Sequence, residues 1–398
     1  MAASAVPVEL AVVEDEASVV YSNPPRPFRG PGIWGAAAWM LTFLVIQLGA
    51  SLLVMVVLAA SFFLNTDLST LTEQEIRSYV TDMAIDPRNM TALICGTLCV
   101  SAILNSLLIW WRLGTSGRST LGLRRLPVGQ AVCIMLMVLP LSMIGSKLYL
   151  VGEVSWQELI SQFPHGFDLS SLKSMDTIAV MSNELSLPWM MFLFALLPAV
   201  SEELMFRGFI GRGLTERWGR VTGVLLTTWF FAMMHGYPPH MLALIPLSIM
   251  IHDVYLVTKS FWAPVLMHFT NNALAVIVLS LHVDDPVLNA QSNVDISPPM
   301  IFASLSCVLA LAALIRALQR QPGLHTGSVP RLIGNLEESG EHAVTSHGHI
   351  ATMQNHVSLQ LDALTQTALE HIRIKRLLAL ATISVMLFGI ACFNFAAV

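Results

Sequence analysis

The chain has 398 residues, 55% of them hydrophobic and only 12% charged, with a mean hydropathy of +0.66 and a formal net charge of -5. A composition this apolar excludes an ordinary soluble domain and predicts an integral multi-pass membrane protein whose first partner is the lipid bilayer. Nucleic-acid binding has no support, and the five cysteines, Cys95, Cys99, Cys133, Cys307 and Cys392, fall in apolar stretches without metal-ligand spacing, as small core residues do.

Residues 1–32 read as a polar, Pro-rich tail without the short apolar region and cleavage site of a signal peptide. Apolar runs then follow at 33–64, 90–111, 128–151, 187–210, 221–236, 241–257, 261–282, 299–318 and 377–398. Their lengths predict an all-α, polytopic transmembrane helical bundle of eight or nine helices. Residues 33–151 hold the N-terminal transmembrane helices and 152–186 an acidic, non-cytoplasmic loop. A core spans 187–282, a loop and helix 283–318, a polar linker with one amphipathic helix 319–376, and a last transmembrane helix 377–398.

Loop charge orients these spans. Arg112, Arg118, Arg124 and Arg125 stand between the second and third runs, and Arg212, Arg217 and Arg220 between the fourth and fifth, whereas 65–89 and 283–298 are acidic. Because positive loops stay inside, the alternation predicts a cytoplasmic N-terminus and, after nine spans, an outside C-terminus.

Three polar clusters interrupt the apolar core. In SEELMFR, Glu203 and Arg207 are four residues apart and share a helix face, while Glu202 points about 100° away from Glu203. FFAMMHG places Phe231 and His235 on one face just before Pro238 and Pro239, and APVLMHFTNNALA does the same for His268 and Asn272. Ionised groups near the bilayer centre cost about 2.5 to 3.5 kcal/mol each, so they need partners or a polar intramembrane cavity, and they mark a site.

Water-dependent cleavage of a peptide needs these groups. A carboxylate such as Glu202 can take a proton from water while His235 holds and polarises it. His268 and Asn272 can donate hydrogen bonds to the oxyanion on a peptide carbonyl. One glutamate can then pair with Arg207 while the other faces the reaction, dividing the two into anchor and base.

At these residues the chain resembles the CPBP intramembrane proteases, which include CAAX prenyl endopeptidases and bacteriocin-processing or immunity relatives. Their ordered pattern EExxxR, FxxxH, HxxxN is complete here as Glu202-Glu203-xxx-Arg207, Phe231-xxx-His235 and His268-xxx-Asn272. The resemblance covers 187–282 as a protease core and implies a glutamate-dependent endopeptidase without a cofactor. Glu202 and His235 would activate water, His268 and Asn272 would stabilise the oxyanion, and Glu203 and Arg207 would support the site. It further implies a peptide or protein substrate in or at the membrane, and a bacterial inner membrane as the location.

Plainer readings compete. The Glu-Glu-Arg cluster alone could be an ion pair locking helices, and Phe231 most simply packs in support of the site. His252 and Asp253 suit helix packing or a cytoplasmic boundary, and His165, His240 and His282 suit solvated span ends. Zinc held by Glu202, His235 and His268 is the chemical alternative, although no HExxH occurs. A transporter, or a silent immunity or scaffold protein, is the alternative of another class. Counting helical rise from the span ends leaves one tension: Glu202 falls in the cytoplasmic half of its helix, His235 toward the far end of the next.

Overall fold

The computed structural model describes residues 30–65, 72, 74, 78, 81, 86–114, 121–163, 181, 184–282, 296–319 and 347–396. Most of the N-terminal tail, much of the acidic loop with His165, and the linker up to residue 346 lie outside the described residues. Eight helices are long and apolar enough to cross a membrane, and no strand occurs among the described residues. They are α1 (Ile33–Asn65), α2 (Pro87–Leu113), α3 (Val128–Ile160), α4 (Leu187–Met233), α5 (Pro238–Thr258), α6 (Trp262–His282), α7 (Pro298–Gln319) and α8 (His347–Ala396).

The fourth of these is a hairpin. Gly219 inside α4 adopts φ 78° and ψ 173°, a backbone that only glycine takes without strain, and the chain reverses there. A Cβ on Gly223 would stand 2.5 Å from Thr215 Cα, and one on Gly211 2.9 Å from Thr227 Oγ1. Further along, Arg207 lies over the Phe231 ring at 4.6 Å. Each of these pairs is equidistant from Gly219, as two antiparallel arms require. Residues 187–218 and 220–233 are therefore the arms of one hairpin and account for two of the nine apolar runs.

This geometry removes the tension in depth. Glu203 and His235 lie 16 residues before and after Gly219, about 24 Å along either arm at the helical rise of 1.5 Å per residue. The helix does not stop where the charges begin: Arg212, Glu216 and Arg217 continue it to the turn, so the span ends read from charge are too short. Residues 202 and 203 fall midway along the first arm, and the turn carrying His235 is set at that height.

Two apolar clusters pack the bundle. One joins α3, α5, α6 and α7 with Ala381 and Phe388 of α8, and the other joins α1, α2 and α4 with Phe261 and Val265. The remaining exposed Leu, Val and Ile on α1 and α8, such as Leu48, Leu52, Leu380 and Ile383, form the surface that faces lipid. Charges gather at the end near the hairpin turn, where Asp253 pairs with Arg220 at 2.5 Å and with Arg316, and Arg217 Nη1 donates to the Gly30 carbonyl at 2.5 Å. Asp253 is thus a boundary residue joining α4, α5 and α7. The helix α8 has 50 residues and begins inside the stretch read as a linker, with its apolar part at Leu369–Cys392.

Candidate active site

Glu202 and Glu203 stand on an α-helical segment, Leu197–Met205, bracketed by two π-helical turns, Met191–Leu196 and Phe206–Ile210. The first turn has a covalent cause: Pro198 has no N–H to give the Phe194 carbonyl four residues back, so the ladder widens. Asn272 on α6 answers the same vacancy, its Nδ2 donating to Phe194 O at 3.2 Å. A second Asn272 contact, from Asn271 Nδ2 to Asn272 Oδ1 at 3.2 Å, holds the amide in place. Asn271 in turn accepts from Ser142 of α3 at 3.3 Å.

Behind these residues lies a buried electrostatic knot. Glu203 and Arg207 are both 0% exposed, and Arg207 Nη1 donates to Glu203 Oε1 at 2.9 Å. The same oxygen accepts from His268 Nδ1 at 2.7 Å. The other guanidinium nitrogen, Nη2, donates to Ser248 Oγ at 2.9 Å and Ser248 O at 3.2 Å, tying α4 to α5. Phe231 caps the cluster, with Phe206 edge-on at 5.1 Å, His268 at 5.8 Å and the guanidinium above its face. A cation over an aromatic face in a water-poor interior is worth roughly 2 kcal/mol, so this phenylalanine contributes to holding the ion pair as well as to packing.

Glu202, about 100° round the helix from Glu203, is turned to a neighbouring space. It lines a cavity of about 300 Å³ with His235, Ser201, Phe206, Met234 and residues of α1 and α2. His235 sits in the turn between the second arm and α5, where Gly236 has φ 68°. Tyr237 is buried there, and its hydroxyl donates to Glu153 Oε2 of α3 at 2.6 Å, which fastens the turn to the bundle. His235 Nδ1 is 3.1 Å from the Phe231 carbonyl. A carbonyl can only accept, so this bond places the proton on Nδ1 and leaves Nε2 with a lone pair. The His240 ring stands edge-on to His235 at 5.1 Å, half-buried rather than at a solvated span end.

The seven residues singled out from the sequence thus gather around the first arm, and the Phe231 ring, 5.1 Å from His235 and 5.8 Å from His268, joins the cavity to the knot. Glu202 and His235 share the cavity, while Glu203, Arg207, Phe231 and His268 form the knot, and Asn272 bridges α6 to the π turn. Ser248, Tyr237 and Glu153 were not singled out, and His240 was read as a solvated span end, because nothing in a polar residue's spacing reveals a partner on another helix. His252 is fully buried, and neither ring nitrogen has a hydrogen-bond partner among the described residues, so it belongs to the packing between α4 and α5. Among the described residues no group of three His, Cys, Asp or Glu is gathered so as to hold a metal ion.

Residues 184–274 match the family described as Rce1-like, type II CAAX prenyl endopeptidase Rce1-like. This segment is an Rce1-like domain. It takes in both arms of α4, all of α5 and the part of α6 that carries His268 and Asn272. No curated protein and no solved structure matches the chain. The eight apolar helices, with the Rce1-like match, make the chain an integral multi-pass membrane protein, and its residues 184–274 are similar to the CAAX-type intramembrane endopeptidases.

Proposed function

We propose that the protein hydrolyses a peptide bond of a membrane-associated peptide or protein with water activated by Glu202 and His235. The observation that carries this reading is the cavity that both side chains line, next to the knot that holds His268, with the Phe231 ring 5.1 Å from His235 and 5.8 Å from His268. A water between the Glu202 carboxylate and the His235 Nε2 lone pair loses a proton to Glu202 as its oxygen attacks the scissile carbonyl. The C–N bond then breaks, and the proton on Glu202 passes to the leaving amine.

His268 and Asn272 take the oxyanion in this scheme. With Nδ1 given to Glu203, His268 has Nε2 left, which donates when the ring carries both protons. Asn272 has a second amide N–H beyond the one given to Phe194 O. Removing one such donor costs a protease about 3 to 4 kcal/mol in the transition state. Glu203, Arg207 and Phe231 fix the His268 ring and keep Glu202 turned to the cavity. No metal step enters the scheme.

The test compares wild type with Glu202→Gln, expressed at equal levels in native-like membranes, by mass spectrometry of newly formed peptide termini. Termini that depend on Glu202 and survive a chelator are the expected result. Their loss with chelator would transfer the chemistry to zinc. Identical termini in both proteins would favour a non-proteolytic scaffold or immunity role.

A further inference from the structure

Part of the wall of the cavity that Glu202 lines is built by α1, which, like α2, lies outside the matched residues 184–274. Ala36, Met40, Phe43, Gln47 and Ala50 recur every three or four residues and form the stripe of α1 that faces the bundle. Ala36, Met40 and Ala50 are buried, and Trp39 packs edge-on against Phe209 at 4.9 Å. With Gly30 tied to Arg217 near the hairpin turn, α1 runs antiparallel to the first arm of α4. Gln47 therefore arrives at the depth of Glu202, and both line the cavity with His235.

Gln47 makes no hydrogen bond among the described residues, whereas Thr42, one turn earlier, gives its hydroxyl to the Ala38 carbonyl at 2.9 Å. Ser101, also on the cavity wall, is likewise turned to a main-chain carbonyl, Leu98 O, at 3.3 Å. A carboxamide in the middle of a membrane helix is costly unless it finds both a donor and an acceptor. A space of about 300 Å³ beside it exceeds the roughly 30 Å³ share of a single water by about tenfold and accommodates a short run of peptide. An extended peptide main chain offers an N–H and a C=O, which a glutamine amide can engage together.

We infer that Gln47 binds the main chain of the peptide substrate beside Glu202, making α1 part of the substrate site. This rests on the proteolytic reading above and adds to it a positioning residue from outside the Rce1-like domain. It is tested with the full chain in lipid nanodiscs, using a farnesylated CaaX peptide as the probe and comparing wild type, Glu202→Gln, Gln47→Met and Gln47→Asn. Methionine keeps the volume and removes the hydrogen bonds; asparagine keeps the amide but draws it back.

The expected result is a KM raised about tenfold in Gln47→Met, with kcat within twofold of wild type and a thermal unfolding midpoint unchanged or higher, and an intermediate KM in Gln47→Asn. An unchanged KM in Gln47→Met would overturn the inference, leaving the amide to water. A fall in kcat together with the unfolding midpoint would also overturn it, in favour of helix packing. Wild-type cleavage that depends on Glu202 but ignores Gln47 defeats this inference alone, whereas no Glu202-dependent cleavage defeats it together with the proteolytic reading.

Discussion

Glu202 and Glu203 are adjacent, chemically identical and differently employed, because a step of one residue along a helix turns the side chain by about 100°. Glu203 points to Arg207 and His268, Arg207 carries the link on to Ser248, and Glu202 points to the cavity. The two should respond differently to loss of charge. Glu203→Gln leaves Arg207 buried without its counter-ion, a change that costs about 3 to 5 kcal/mol, so the thermal unfolding midpoint in detergent should fall steeply. Glu202→Gln should leave that midpoint near wild type. Equal losses in the two variants would contradict the division of roles. The Glu203-Arg207 pair was legible from its spacing of four, and the different direction of Glu202 from its offset of one. The remaining partners were not legible: His268 and Ser248 lie 65 and 41 residues from the members of the knot they touch, and only tertiary packing brings them together. His240 was missed for the same reason, since its neighbourhood to His235 depends on the turn at Gly236 and Tyr237.

At the scale of an element, the hairpin within α4 sets Glu202 and His235 at one height. Its turn needs a residue with φ 78°, and its crossing needs no side chain at Gly223, where a Cβ would lie 2.6 Å from the Thr215 backbone nitrogen. Gly219→Ala should therefore cost about 1 to 3 kcal/mol from the positive-φ backbone alone. Gly223→Val should do more, because backbone rather than a flexible side chain blocks the added atoms; the arms must part and His235 must move relative to Glu202. Unfolding midpoints and proteolysis measured on both variants check this, and a Gly223→Val protein with wild-type stability would refute the close crossing. The two apolar runs that became these arms were visible in the sequence, but their ends were not. Arg212, Glu216, Arg217 and Arg220 end the hydrophobic run without ending the helix, since long charged side chains are good helix formers and reach water at the membrane boundary. The π turn at Met191–Leu196 was foreshadowed only by Pro198, whose consequence for Phe194 became definite once Asn272 was seen to fill the gap.

For the molecule as a whole, composition and run length were sufficient to read an all-helical membrane bundle, because apolar segments of this length have few other stable forms. The helical extension of α8 back to His347 was less visible, since a polar helix leaves no hydrophobic run to count. The charge alternation predicts that the α4 turn is cytoplasmic and that the entrance to α7 lies on the opposite side. Glu216→Cys should then react with a membrane-impermeant maleimide from the cytoplasmic face and Ser297→Cys from the other; reversed labelling would invert the topology. Within that frame, the central claim is that a carboxylate at the middle of the first α4 arm activates water for peptide hydrolysis without a metal. It is tested most directly by the cleavage rate of a farnesylated CaaX peptide by purified wild type and Glu202→Gln in nanodiscs, each before and after chelation. The account predicts a wild-type rate indifferent to the chelator and a Glu202→Gln rate lower by about a hundredfold or more, the scale of a lost general base. A Glu202→Gln rate equal to wild type, or wild-type cleavage abolished by the chelator, would contradict it.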